Sequence, residues 1–375
     1  MSNDSEAFVA FDTSKLRHAV AIAEGSREGE VRYLGEIDNS DAAVRGLVKK
    51  IAGKYSKVVF CYEAGPTGYG LSRLITDLGH DCLVVAPSLI PIKAGDRVKT
   101  NRRDALNLVK LLRAGELTRV WVPDERHEAI RDLTRARQTA AADLVRKRQQ
   151  ILSLMLRLGR IYTGKRHWTR AHMKWLASQK IEHLEQRMVL EEMLLAVRQA
   201  QERIARLEEA IRAAVPGWSL AELVHALMAL RGVDFISATG FLAEVGDLLR
   251  FQSARQLMGF LGMVPSEHST GGEIIRGSIT KAGNRRARRI LVECAWSYRY
   301  PARVGPDKLG KVMSTPRTVQ EVAWKAQCRL TTRYRALLRR GKGKNVTVTA
   351  IARELSGFVW AIAHAVAEPS KRQAA

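Results

Sequence analysis

A chain of 375 residues with 46% hydrophobic content is long enough for two or three domains, each with its own core. Its 62 Lys and Arg against 38 Asp and Glu leave a formal net charge of +24, which calls for a polyanionic partner, either nucleic acid or an anionic membrane surface. The apolar runs are short or broken by charge, below the ~20 residues of a spanning helix. The opening MSNDSEAF has no basic region followed by an apolar one, so a cytoplasmic protein with no membrane partner is expected.

In chain order, FVAFD (8–12), KVVFCYE (57–63) and CLVVA (82–86) are rich in Val and Phe and read as buried strands. Residues 42–51 and 69–78 place apolar side chains three and four apart and read as helices between them, giving an α/β layer over residues 1–125. From His127 to Leu158 an apolar stripe including Ile130, Leu133, Ala140, Ile151 and Leu154 predicts one long helix. A second runs from about Ile181 to Val215 and is closed by Pro216. Such a pair is expected to form an antiparallel hairpin or a dimeric coiled coil across 126–218, joined by the basic, aromatic connector GKRHWTRAH (164–172).

A helical, basic segment (219–368) and a short disordered tail (369–375) complete the expected organisation. Within it, 227–251 resembles a helix-hairpin-helix with Gly232 in its turn, a device for presenting backbone amides to phosphate. From Arg276 to Lys344 there are 19 Lys and Arg but three acids, a concentration suited to tracking a phosphate backbone. The four cysteines, Cys61, Cys82, Cys294 and Cys328, have no CxxC spacing, which disfavours a zinc site or a disulfide framework.

Three acids stand out against this basic background. Asp12 and Glu63 end predicted strands, where α/β sheets gather functional groups. Asp104 opens a helix in KTNRRDALNLVKLL, where a helix cap is the plain explanation. Carboxylates gathered in one cleft repel one another, and a hard cation such as Mg²⁺ removes that penalty while reaching substrate phosphate. Downstream, GFLGMVPSEHSTGG places Ser266, Ser269 and Thr270 in a glycine-rich loop ahead of a dense basic helix. A loop hydroxyl there serves either as a phosphate donor or as a nucleophile.

The set FDTSK, YEAGPTGYG, KTNRRDA, RAGELTRVWVPD, GMVPSEHSTGG, RGSITKAGN and LVECAW, in this order through nearly the whole chain, closely resembles transposases of insertion-sequence family one-hundred-ten, the group of the Piv inversion recombinase. The resemblance implies a RuvC-like, ribonuclease-H-fold domain with an Asp-Glu-Asp-Asp metal site, a coiled-coil dimerisation region and a C-terminal domain with a nucleophilic serine. It implies recombination of donor and target DNA directed by an element-encoded, structured bridge RNA. Also implied are Mg²⁺ (or Mn²⁺) as cofactor, a covalent phosphoserine, and a dimer or dimer of dimers in which different protomers supply the acids and the serine, in the bacterial cytoplasm at the nucleoid. Asp12 and Glu63 match the first two acids, and the last two positions fall on Asn101 and Asp104. Asn101 departs from the pattern: its amide oxygen can bind a cation but adds no charge. The nucleophile falls on Ser269 or Thr270; the primary hydroxyl of Ser269 is the less hindered. Lys99, Arg102, Arg103, Arg276, Lys281, Arg285, Arg286, Arg288 and Arg289 are the expected nucleic-acid contacts. Two alternatives use the same residues: a structure-specific RuvC-like endonuclease that needs no loop hydroxyl, and a non-enzymatic nucleic-acid-binding protein whose acids are structural.

Overall fold

The computed structural model describes residues 5–91, 100–270 and 272–373, and the chain divides into two compact units, Met1–Val122 and Pro123–Ala375.

The first unit is built on a five-stranded sheet of β1 (Glu6–Thr13), β2 (Arg17–Glu24), β3 (Val31–Asp38), β4 (Lys57–Glu63) and β5 (Asp81–Val85), in the order β3-β2-β1-β4-β5. β1, β2 and β3 form an antiparallel meander, whereas β4 runs parallel to β1 and β5 parallel to β4. The parallel pairs need crossovers, supplied by α1 (Asp41–Ala52) and α2 (Gly70–Asp77). These helices cover one face, packing on Val9, Phe11, Phe60 and Tyr62. The other face is lined by Ala10, Ala19, Ala21, Ala23 and Cys61, and α3 (Asn101–Arg113) buries Ala105, Leu108, Val109 and Leu112 against it. The three strands and two helices expected for this region are present. β2 and β3 were not anticipated. β2 reads RHAVAIAE, buried from His18 to Ala23, and its β-branched residues are limited to Val20 and Ile22 between alanines.

In the second unit α4 (Glu125–Arg157) and α6 (Leu184–Ala214) pack side by side, with α5 (Arg170–Ala177) inside the expected connector. Three contacts fix their direction. The Arg126 guanidinium donates to the Ala214 carbonyl, Arg137 pairs with Glu208 and Arg203 pairs with Asp143, so residue numbers rise on one helix as they fall on the other. The pair is therefore an antiparallel hairpin within one chain, its far end closed by Ile151, Leu154 and Met155 against Leu190 and Val197.

The remainder comprises α7 (Ala221–Leu227), α8 (Phe235–Val245), α9 (Ala254–Phe260), β6 (Pro265–Glu267), β7 (Arg276–Ile279), α10 (Arg285–Ala295), α11 (Pro306–Met313), α12 (Arg317–Arg339) and α13 (Lys344–Gln373). Lys344–Ala367 is long and apolar enough to cross a membrane by length and composition. Half of its most apolar window is buried, and α13 packs Val348, Ile351, Leu355 and Ile362 into the core beside α7, α9, α10 and α12, as the central helix of this unit. Gly232, in the turn between α7 and α8, has a positive φ of 78°, and a Cβ there would lie 2.4 Å from the Cys294 carbonyl oxygen. Close packing on α10 thus accounts for this glycine. The amides opening α8 are already engaged: Asp234 accepts from the Ser237 N–H at 2.7 Å and completes a capping box.

One buried charge ties these elements together. The Glu244 side chain, near the end of α8, has no solvent exposure. Arg135 of α4 holds it with two hydrogen bonds of 2.8 and 2.9 Å, and the Asn284 amide donates to it at 2.7 Å. Asn284 in turn caps α10 by accepting from the Arg286 and Ala287 N–H groups. Burial alone would raise the Glu244 pKa, but the bonds from Arg135 and Asn284 outweigh it and hold the carboxyl below its ordinary value. Its stabilising effect is therefore full above the ordinary glutamate range and lost as pH falls through the lowered value. Glu244→Ala strands the partly exposed Arg135 and Asn284 and is expected to cost about 2–3 kcal/mol, roughly 5–10 °C in thermal midpoint. The gap between wild type and Glu244→Gln in thermal unfolding should narrow as pH is lowered below about 4.

Candidate active site

The period of two along a strand decides which side chains share a face. On β1, Ala10 faces α3, so Asp12 projects to the same side; on β4, Cys61 faces α3, so Glu63 does too. The parallel register pairs Phe11 with Tyr62, which makes Asp12 and Glu63 neighbours at the carboxyl ends of adjacent strands. Asp12 is half-buried and Glu63 exposed. The loop after Glu63 is held over this end: Thr13 Oγ1 and Thr67 Oγ1 are 3.2 Å apart, and Tyr62 donates its hydroxyl to the Gly68 carbonyl at 3.0 Å.

The helix α3 is oriented by its last turn. Arg113 donates to the carbonyls of Glu24, Ser26 and Gly29, at the edge where β1 begins. Its first turn therefore lies toward the end of β1 that carries Asp12. Thr100 caps it, accepting from the Arg103 N–H at 3.3 Å. Asp104 and Asn101 stand one and two steps before Leu108 on a three/four spacing, in line with a residue packed on the sheet. Arg102 lies 5.5 Å from the centre of the Tyr33 ring, and Tyr33 titrates above its usual value through burial, Glu36 and Asp12, with Arg102 opposing. Asp12 and Glu63 thus share one face at one end of the sheet, and Asn101 and Asp104 open the helix packed on that face; all four are oxygen donors, which suits a hard divalent cation. Among the described residues no group of three or more His, Cys, Asp or Glu is drawn close enough to hold a metal ion. The sheet pairs two of the acids, and Asp104 approaches from the helix.

In the second unit the hydroxyl loop is the tip of a hairpin. β6 and β7 pair Pro265 with Ile279 and Glu267 with Arg276, and the His268 N–H donates to the Ile275 carbonyl. Ser269 donates its hydroxyl to Glu267 Oε1 at 2.9 Å, while the Arg276 guanidinium binds Oε2 at 3.2 Å. These two bonds hold the Glu267 carboxyl below its ordinary pKa. Thr270 makes a backbone bridge with Glu273. Glu267 carried no assigned role on sequence grounds, although a carboxylate two residues before a hydroxyl in an extended strand puts both on one side.

The comparisons with known proteins bear on the whole chain. A DEDD transposase family model named for IS110 matches residues 9–159, and the model described as the transposase IS116/IS110/IS902 family matches residues 224–303. The chain is 58% identical over 358 residues to y4qE of Sinorhizobium fredii, a candidate transposase by name, covering 96% of this chain and 88% of the relative. It is 28% identical over 338 residues to the transposase for insertion sequence element IS1533 of Leptospira borgpetersenii, covering 88% and 96% of the two chains. It is 26% identical over 246 residues to the transposase for IS1328 of Yersinia enterocolitica, covering 64% and 70%.

The chain belongs to the IS110 family of insertion-sequence transposases. Family membership gives it DNA as substrate and cleavage and strand transfer as its chemistry, and the DEDD domain points to divalent-metal use.

The basic residues of the transposase divide by what they touch. Arg288 donates to the carbonyls of Leu261 at 2.9 Å and Gly283 at 3.4 Å and also to Ala282, locking the turn between α9 and β6 onto the one preceding α10. That junction is tight: Gly262 and Gly283 have positive φ, and a Cβ on Gly283 would lie 1.9 Å from the Phe260 carbonyl oxygen. Arg286 donates to Gln138, Arg289 to Glu293 within α10, and Arg276 to Glu267. Lys281, at φ 58°, and Arg285 are exposed, as are Arg102 and Arg103 beside the acidic end of the first unit. Lys99 lies outside the described residues. Arg285→Ala should weaken DNA binding and reduce its salt slope by about 1, with the thermal midpoint unchanged. Arg288→Ala should lower the thermal midpoint of the transposase first. Titrations at several salt concentrations beside thermal scans separate the two.

Proposed function

We propose that this transposase is a RuvC-like recombinase of its insertion sequence, directed by an element-encoded bridge RNA and working through a covalent phosphoserine. The observation that carries the reading is the pairing of Asp12 with Glu63 at adjacent strand ends, on the sheet face against which α3, the helix opened by Asn101 and Asp104, packs. An exposed hairpin hydroxyl supplies the second chemical element. The meander of β1 to β3 followed by two parallel strands supports the ribonuclease-H-fold assignment of the first unit.

Asp12, Glu63 and Asp104 would hold Mg²⁺ (or Mn²⁺), with Asn101 adding a neutral oxygen. Such an ion, when bound, supplies charge neutralisation and polarises phosphate oxygens. Arg102 and Arg103 sit beside these acids and hold the DNA backbone near them, while Lys281 and Arg285 do so beside the hairpin. Ser269 attacks a backbone phosphate. The ester it forms retains the energy of the broken phosphodiester, so rejoining needs no ATP. Thr270, a secondary alcohol, is the more crowded nucleophile. A composite site supplied by different protomers of a dimer or dimer of dimers rests on the family resemblance. Guidance by RNA rests on the family resemblance and on the +24 charge, which suits two nucleic acids at once.

A hydrolytic nuclease would use the same acids without the hydroxyl, and the two readings part at Ser269. Ser269→Ala is expected to abolish both the covalent protein–DNA adduct and strand cleavage. Continued cutting would favour hydrolysis, and an adduct mapped to Thr270 would move the nucleophile. Purification from cells carrying the native element, followed by sequencing of bound RNA, should return one discrete non-coding species. Bulk cellular RNA alone would count against guidance.

A further inference from the structure

We infer that Glu267 is the proton acceptor for Ser269. The inference rests on the reading of Ser269 as nucleophile and adds the group that activates it.

Three features of the hairpin support the assignment. The Ser269 hydroxyl already points its proton at Glu267 Oε1, 2.9 Å away, which is the contact a general base needs. The other carboxylate oxygen is engaged by Arg276 across the β6–β7 register, so the carboxylate is held with one oxygen on the arginine and one on the hydroxyl. The paired strand fits this: at Gly277, next to Arg276, a Cβ would lie 2.4 Å from Ser266 Oγ, so the glycine leaves room for that hydroxyl beside the ion pair. An exposed ion pair of this kind stabilises a fold by only about 0–1 kcal/mol, so stability gives little reason for the arrangement.

In the step itself, Ser269 Oγ forms a bond to the scissile phosphorus as its proton passes to Glu267 Oε1. The bond from phosphorus to the departing deoxyribose oxygen breaks, its electron pair leaves with that oxygen, and water protonates it. On rejoining, the deoxyribose hydroxyl gives its proton back to hydroxide and attacks phosphorus, the bond from phosphorus to Ser269 Oγ breaks, and Glu267 returns its proton to the serine oxygen. Arg276 keeps Glu267 ionised at neutral pH and, by binding the far oxygen, leaves the near one free to take the proton. The same pairing selects Ser269 over Thr270, whose contact is the backbone bridge to Glu273.

The experiment follows covalent adduct formation in single turnover, using full-length protein with its co-purified RNA, native DNA ends and a fixed Mg²⁺ concentration, from pH 5 to 9. Wild type, Glu267→Gln, Glu267→Asp, Ser269→Ala and His268→Gln are compared. His268 and Glu273 are the other ionisable side chains of the hairpin loop, and His268→Gln controls for titration of the imidazole. Loss of a general base costs about 10²–10⁴ in rate, so Glu267→Gln should slow adduct formation at least 100-fold at neutral pH. Its remaining rate should climb with pH, whereas wild type levels off. Glu267→Asp should recover part of the rate, and His268→Gln should keep the wild-type profile. DNA affinity and thermal midpoint should be unchanged in Glu267→Gln, because the side chain is exposed. A Glu267→Gln rate within about threefold of wild type, or a uniform loss with an unaltered pH profile, overturns the inference while Ser269→Ala still forms no adduct. An adduct in Ser269→Ala overturns the nucleophile assignment instead.

Discussion

The parallel pairing of β1 with β4 is the constraint on which the proposed metal site of this transposase depends. It sets Phe11 against Tyr62 and so brings Asp12 and Glu63, 51 positions apart in sequence, to adjacent strand ends on one face. A slip of one residue in either strand would turn its acid to the opposite side, among Phe11, Phe60 and Tyr62. The register is held by those buried aromatic side chains, so the core that stabilises the sheet also positions the acids.

Packing on the other face has an equally specific role. Alanines at 10, 19, 21 and 23 leave a shallow surface on which α3 can sit close to the sheet. Arg113 pins one end of that helix to three carbonyls, and the opposite end delivers Asn101 and Asp104 toward the paired acids. Larger side chains on β2 would lift the helix and carry Asp104 away. In the second unit the same economy operates through Glu244. One buried carboxylate sets α4, α8 and the cap of α10 in a fixed relation, and α10 leads directly from the turn after the β6–β7 hairpin.

Much of this was legible in the sequence, and the gaps have physical causes. Strands rich in Val and Phe announced β1, β4 and β5, and the three/four stripes announced α4 and α6. β2 was overlooked although Val20 and Ile22 alternate with alanines in it; those alanines weaken the strand signal, yet small residues line the face against which α3 packs. Asp12, Glu63 and Asp104 stand out at strand ends, a helix start and in the family pattern, while the pairing of Asp12 with Glu63 depends on a register that no local window contains. The arginines of NRRARR look alike as letters. Folding gives them different work: Arg288 braces three carbonyls, Arg286 and Arg289 have side-chain partners, and Arg285 faces solvent. Glu267 lay in plain view two residues before Ser269, but its ion pair with Arg276 comes from the paired strand.

Asp104 must join Asp12 and Glu63 around one ion if this arrangement is the metal site of the transposase. A crystal structure of the protein with Mn²⁺ and its DNA ends, using anomalous scattering to locate the metal, tests that point directly. The account predicts a manganese peak bound by carboxylate oxygens of all three acids, with Asn101 beside them. Manganese held elsewhere, or by a set that omits Asp12 and Glu63, would contradict it.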